Sequence, residues 1–268
     1  MSMRMPNKSA AENNLATISR PLFTRLGTLL LIVGIVVVFF ISQLIGVYIA
    51  GKLVLPTAKS ATVGDIFFFG SNDGTVVSLS IIIGCVLLMA ISALIVRMRG
   101  GNFTQYLVLK PFSLATGMGM IGLLLIFMIG SQALTYMLDE TPLSFVDPLY
   151  QSVSSVWLLI FAMVIVAPIY EELIFRGLLW SAIAEQFSSS SGLLLRSEHR
   201  GAIVASLVTS FIFAVIHLQY GTYEISTIVV LALIFCYARI KSGSLILPML
   251  LHIINNGAAM WQYLAQVA

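Results

Sequence analysis

Glu171, Glu172 and Arg176 lie in the run Pro168-Ile169-Tyr170-Glu171-Glu172-Leu173-Ile174-Phe175-Arg176-Gly177, between apolar flanks. A charged side chain near mid-bilayer costs about 2.5–3.5 kcal/mol on insertion scales, so three of them together need a chemical reason. On a helix Glu172 and Arg176 are four apart and stack on one face, the acid first, which is the favourable order for an ion pair. Glu171 is rotated by about 100° from Glu172 and must find another partner. Pro168 lacks a backbone donor, which kinks the helix or frees a carbonyl close to these charges.

Two histidines are equally out of place. His217 ends the run Phe211-Ile212-Phe213-Ala214-Val215-Ile216-His217, and His252 sits in Leu250-Leu251-His252-Ile253-Ile254-Asn255-Asn256. His252 and Asn256 are spaced i, i+4 and project from one helix face. His199, between Glu198 and Arg200, reads instead as an ordinary solvated residue. Intramembrane ionisable groups face the bundle interior and find each other. A carboxylate with an imidazole can take a proton from water, while an imidazole and an amide can donate hydrogen bonds to a developing oxyanion. This is a hydrolase inventory with no nucleophilic serine or cysteine. Glu171, His217 and His252 could also bind zinc with one open position, although the spacing HExxH is absent. Asn256 is a poor zinc ligand and a good amide donor, which favours the metal-free alternative and leaves zinc open.

The elements that must position these residues are membrane helices. In 268 residues, 59% are hydrophobic and 9% charged, with a mean hydropathy of +1.01. Soluble domains carry about 25% charged residues, so a soluble enzyme, a disordered chain and a disulfide-stapled module are all excluded. With a net charge of +3 and basic residues scattered at segment ends, nucleic acid is not an expected partner. Cys85 and Cys236 fall in apolar stretches and read as packing residues without a disulfide.

A spanning helix takes about 20 mostly apolar residues. The sequence predicts an all-α bundle of about seven spans, at Leu26–Gly51, Val76–Val96, Leu114–Leu138, Val156–Gln186, Ala202–Gln219, Ile225–Ala238 and Ser244–Ala265. The fourth must be long or kinked, since only then do Glu171, His217 and His252 reach compatible depths. Gly117, Gly119 and Gly122 are expected to permit close helix packing in the third. Ser188–Gly192 reads as a linker, and no internal repeat supports a transporter. Residues 1–25 are expected to be a cytoplasmic segment, 26–150 a three-helix membrane region and 151–268 a catalytic helical core.

Basic residues alternate between connections. Arg4, Lys8, Arg20 and Arg25 precede span one, Arg97, Arg99 and Lys110 follow span two, Arg196 and Arg200 follow span four, and Arg239 and Lys241 follow span six. The other connections carry Asp65, Asp73, Asp139, Glu140, Asp147 and Glu224, against Lys52 and Lys59. The positive-inside rule then puts the N-terminus in the cytoplasm and the C-terminus outside.

Three ordered motifs resemble those of the CAAX prenyl protease and bacteriocin-processing (CPBP, or Abi) intramembrane proteases. They are Glu-Glu-x-x-x-Arg at Glu171, Glu172 and Arg176, Phe-x-x-x-His at Phe213 and His217, and His-x-x-x-Asn at His252 and Asn256. The resemblance covers roughly Ala167 to Asn256; the first three spans match only in being hydrophobic. It implies that Glu171 activates water together with His217, that His252 and Asn256 serve an oxyanion, and that Glu172, Arg176 and Phe213 support the site. It further implies an integral protein of a bacterial inner membrane that hydrolyses a peptide bond in a membrane-associated peptide or protein, with lipids as its other partner. Prenylation of the substrate is not implied for bacterial members. The same residues leave two other classes open: a non-catalytic bacteriocin-immunity or scaffold protein, and a proton-coupled carrier with Glu171 as its relay.

Overall fold

A computed structural model describes residues 21–56, 60–140, 145–187, 194–217 and 220–267. Arg4, Lys8, Arg20, Lys59, Gln219 and the Ser188–Gly192 linker lie outside them, as does most of the 1–25 segment. Every regular element among the described residues is helical. The long helices are α1 (Arg25–Val54), α3 (Gly74–Met98), α5 (Leu114–Met137), α7 (Val156–Glu185), α8 (Leu194–Val215), α9 (Thr222–Ser242) and α10 (Ile246–Val267), and each overlaps one expected span. Five of them, α1, α3, α5, α7 and α9, are long and apolar enough by themselves to cross a membrane. The apolar part of α8, His199–Val215, is shorter, and α10 is diluted by its amides and histidine. The chain is a polytopic membrane bundle.

The connections hold short helices that no apolar periodicity announced: α2 (Val63–Gly70), α4 (Phe103–Tyr106) and α6 (Val146–Ser152). Helix α2 is started by a capping box, in which Thr62 Oγ1 accepts from Asp65 N and Asp65 accepts from Thr62 N. The Thr62 hydroxyl and backbone amide hold the Asp65 carboxyl below its usual range.

Close helix packing lies elsewhere than expected. A Cβ on Gly119 or Gly122 would meet nothing within 4 Å, and one on Gly117 would meet only the Phe112 ring of its own segment. These glycines therefore do not join helices; much of α5 is exposed. The tight junction is between α1 and α3, where a Cβ on Gly46 would stand 2.7 Å from Ser80 O. Gly177 likewise lets α7 press against Leu107 and Leu245, at 3.0 Å. The cysteines are free, with Cys236 buried against Thr209 and Ser210.

The two ends of the bundle differ. At one end Leu22 N donates to Glu185 (3.0 Å), Arg99 lies over the Phe23 ring (5.6 Å), and Ser244 donates to Lys110 O. Arg239 donates to Ser181 (2.7 Å) beside them. At the other end Gly74 N donates to Ser152 (2.9 Å), Tyr263 to Asp147 (2.7 Å), and Phe145 packs edge to face with Tyr220 at 4.9 Å. The basic connections and the acidic connections thus gather at opposite ends, the arrangement that the alternating charges predict.

Candidate active site

The fourth span is one helix from Val156 to Glu185, and Glu171 sits at its middle. It is not uniformly α. Phe161–Val166 and Leu173–Leu179 are wound as π-helix, flanking the α stretch Ala167–Glu172. In the first π run Ala167 N donates to Ala162 O, five residues back. The next donor in that register would be residue 168, and proline has none, so Met163 O is released. Asn256 Nδ2 takes it, at 3.1 Å. The carbonyl that Pro168 was expected to free is thereby used to hold α10 against α7.

Glu172 and Arg176 form the expected i, i+4 pair, with Nη1 2.9 Å from Oε1 and both side chains fully buried. Neither reaches a helix end, so the cluster is no snorkelling pair at the surface. The guanidinium carbon lies 4.3 Å from the Phe213 ring centre and 5.5 Å from that of Phe235. Two aromatic faces stabilise a cation that has given up water, and they cover Arg176 Nε and Nη2, which have no hydrogen-bond partner among the described residues. Phe213 is thus the seat of the arginine.

His252 joins the two glutamates. Its Nδ1 is 2.9 Å from Glu172 Oε1, and its Nε2 is 3.7 Å from Glu171 Oε2, longer than a hydrogen bond. A carboxylate oxygen only accepts, so Nδ1 carries the proton and Nε2 faces Glu171 with its lone pair. His217 is fixed by another route. Helix α8 ends at Val215 rather than running through Gln219, and His217 stands in the turn beyond it. The reason is local: His217 Nδ1 bonds Phe213 O at 2.6 Å, taking the carbonyl that its own backbone amide would use in a continuing helix. That amide turns to Ala214 O. The ring is left with Nε2 free to act as a base.

Glu171, His217, His252 and Asn256 line one cavity of about 1420 Å³, with Phe213 at its wall. Cavities for small molecules occupy about 300–1,000 Å³, so this one suits a longer chain. It is bounded by apolar groups such as Phe39, Ile81, Leu125 and Leu231, interrupted by the amides of Gln43, Gln132, Asn255 and Gln262. Three features were not read from the sequence. Tyr170 faces the cavity beside Glu171 and accepts from Gln43 Nε2 of α1 at 3.3 Å. Asn255 donates to Asn256 Oδ1 at 3.3 Å. The third is which carbonyl is freed: Pro168 announced one, and no side chain pointed to that of Met163. Gln43 was detectable as a lone amide in the apolar run Phe39-Phe40-Ile41-Ser42-Gln43-Leu44-Ile45, had amides been weighed with the ionisable groups.

As placed, Glu171, His217 and His252 do not form a coordinating group; among the described residues no three His, Cys, Asp or Glu side chains are set to hold a metal ion. The Nε2 atoms are suitable zinc donors in kind; that of His252 is 3.7 Å from Glu171 Oε2, while that of His217 belongs to a separate turn.

A polytopic helical bundle with a carboxylate and two oriented imidazoles in a mid-depth cavity resembles the membrane-embedded hydrolases in its inventory. Residues 153–258 match the model of the Type II CAAX prenyl endopeptidase Rce1-like family. All three motifs fall within that match, so the family resemblance they carry is shown for this region. The chain is also similar to an Escherichia coli protein described as an uncharacterized 24.3 kDa protein, at 31% identity over 103 residues, 38% of this chain and 42% of that one. The match thus spans less than half the length of that relative. No solved structure matches the chain.

Proposed function

We propose that this protein is an intramembrane endopeptidase that hydrolyses a peptide bond of a membrane-associated protein or peptide with a water activated by Glu171. The observation that carries this reading is the placement of Glu171 in the cavity wall, opposite the Nε2 lone pair of His252 and with a fully buried Glu172–Arg176 pair behind it. Residues 151–268 act as the catalytic core and residues 26–150 as its wall, in the inner membrane of a bacterium.

Glu171, with His217 in the same cavity, takes a proton from water, and the water oxygen forms a bond to the scissile carbonyl carbon. The carbonyl oxygen becomes an oxyanion. Asn256 has one amide N–H on Met163 O and a second to give; the proton taken from water passes from Glu171 to His252 Nε2, 3.7 Å away, which makes His252 the other donor. When the C–N bond breaks, the proton taken from water leaves on the amine. Glu172 serves by holding His252 Nδ1–H, which fixes the ring's tautomer. Such positioned donors and bases need no covalent intermediate.

The test compares membranes of cells producing the wild-type chain with those producing Glu171→Gln, by labelling protein N-termini. Wild type should create N-termini that the variant does not. Identical sets from two equally abundant proteins would overturn the reading.

A further inference from the structure

The cavity belongs to one half of the bundle. Helices α3, α7 and α9 start at the acid-bearing end, whereas α1, α5, α8 and α10 finish there. From each, the lining residues come from the midpoint toward that end: Phe39 to Gln43 on α1, Val77 and Ile81 on α3, Leu125 to Tyr136 on α5, and Met163 to Glu171 on α7. Tyr223 to Leu231 on α9 and the last residues of α8 obey the same rule. His252 lies deepest, about one turn past the midpoint of α10. The mouth is made by Ser71, Asn72, Tyr136, Pro148 and Glu224, all in or beside acidic connections.

Among the described residues the other half is closed. Directly beyond Glu172 come Ile174, Phe175, Arg176, Leu178 and Leu179, each no more than 1% exposed. Past them Arg239 is buried over the Trp180 ring at 4.5 Å and bonded to Ser181, whose hydroxyl donates to Tyr106 O. Glu185 then ties Leu22 and Tyr106 across the basic end. No lining residue of the cavity comes from this layer.

The basic end carries Arg25, Arg97, Arg99, Lys110, Arg200, Arg239 and Lys241, while the mouth end carries Lys52 and six acids in its connections. That bias sets orientation, because loops rich in lysine and arginine stay in the cytoplasm. We infer that the cavity opens to the non-cytoplasmic face of the membrane and is sealed from the cytoplasm, so that the bond it takes lies in an extracytoplasmic peptide or at the outer end of a membrane-spanning segment. The statement about the substrate rests on the proposed endopeptidase activity; the direction of opening does not. A cytoplasmic C-terminal tail, the substrate that a prenyl-directed enzyme would need, has no path through the buried layer at Phe175, Leu178 and Leu179.

The test separates the two. In a background with Cys85→Ser and Cys236→Ser, single cysteines replace Asn72 at the mouth, Gln132 in the wall and Lys110 at the basic end, each also combined with Glu171→Gln. A membrane-impermeant sulfonated thiol reagent is applied to right-side-out and to inverted vesicles. Asn72→Cys and Gln132→Cys should be labelled only in right-side-out vesicles and Lys110→Cys only in inverted ones, with or without Glu171. Labelling of the Asn72 and Gln132 variants from the cytoplasmic face, from both faces or from neither overturns the inference. Loss of the endopeptidase reading would leave this pattern intact, since labelling does not need turnover. Cleavage of an added water-soluble casein by right-side-out and not by inverted vesicles, absent in Glu171→Gln, would supply the substrate arm; cleavage from the inverted side alone overturns it.

Discussion

The two regions of the bundle divide the labour of one cavity. Helices α7 to α10 bring the glutamates, the arginine and both histidines of the site, and hold them by hydrogen bonds within the same region: Arg176 to Glu172, Glu172 to His252, His217 to the Phe213 carbonyl, Asn256 to the Met163 carbonyl. Helices α1, α3 and α5 bring Phe39, Ile81, Leu125 and a few amides, and no charge. A buried charge held by one partner constrains that partner's position and type, whereas an apolar wall needs only volume and shape. This is why motifs are visible in one region and absent from the other, and why the family match stops at the boundary between them. Chemistry demands residues at fixed spacing; a wall facing lipid on one side and a cavity on the other does not.

The largest effect that separates the regions is expected at Glu171. Glu171→Gln keeps the shape and removes the base, so kcat should fall by about 10² to 10⁴-fold, with thermal stability in detergent unchanged. No cavity-facing substitution in α1, α3 or α5 should approach this. Chelators should leave activity as it was, because Asn256, beside His252, is a poor metal ligand and a good oxyanion donor. One equivalent of zinc in the purified active protein, with activity lost on its removal and restored on its return, would replace the general-base role by a metal-bound water.

Glu172→Ala tests the support behind the site. It leaves Arg176 buried without its carboxylate and His252 without its orienting acceptor, a loss of about 3–5 kcal/mol. The expected result is a protein that is poorly produced and melts early, unlike Glu171→Gln. Equal stability of the two variants would mean that the phenyl faces of Phe213 and Phe235 suffice for the cation.

Asn256→Ala should lower turnover by about 10² to 10³-fold, as loss of one oxyanion donor does. It also strands the Met163 carbonyl, which costs about 1 kcal/mol. Turnover unaffected beside lowered stability would confine Asn256 to fastening α10 on the π-wound part of α7.

How far the sequence leads differs between these same regions. Glu171, Glu172, Arg176, His217, His252 and Asn256 were legible because each is costly in lipid and so must be explained. The length of α7 was legible through the depth those residues require. What stayed hidden is backbone: the π runs at Phe161–Val166 and Leu173–Leu179, and the end of α8 at Val215, which depends on whether the His217 ring or its amide takes Phe213 O. Propensity does not resolve a one-residue change of register. The glycines of α5 misled, because small residues in a span serve helix contacts only where a helix is opposite, and Gly119 and Gly122 face none. Gly46, in the less conspicuous α1, does that work.

The smallest effect expected here asks whether the wall takes any part in binding. Gln43 is the amide that α1 sends into the cavity, and Gly84 of α3 leaves it room: a Cβ there would stand 3.3 Å from its Nε2. Its amide donates to the Tyr170 hydroxyl, so that hydroxyl's own proton must point elsewhere, and Tyr170 lines the cavity next to Glu171. Gln43→Leu keeps the volume and removes the donor. A neutral hydrogen bond is worth about 1 kcal/mol, so KM for a cleaved peptide should rise by about fivefold, with kcat close to wild type. Tyr170→Phe should do the same, and the double variant should be no worse than either single one, because the two side chains act as one unit. A fall in kcat of the size expected at Asn256 would erase the division of labour, since the N-terminal region would then reach the reacting atoms. No change in KM for any of the three would sharpen it, leaving α1 a wall whose only contribution is shape.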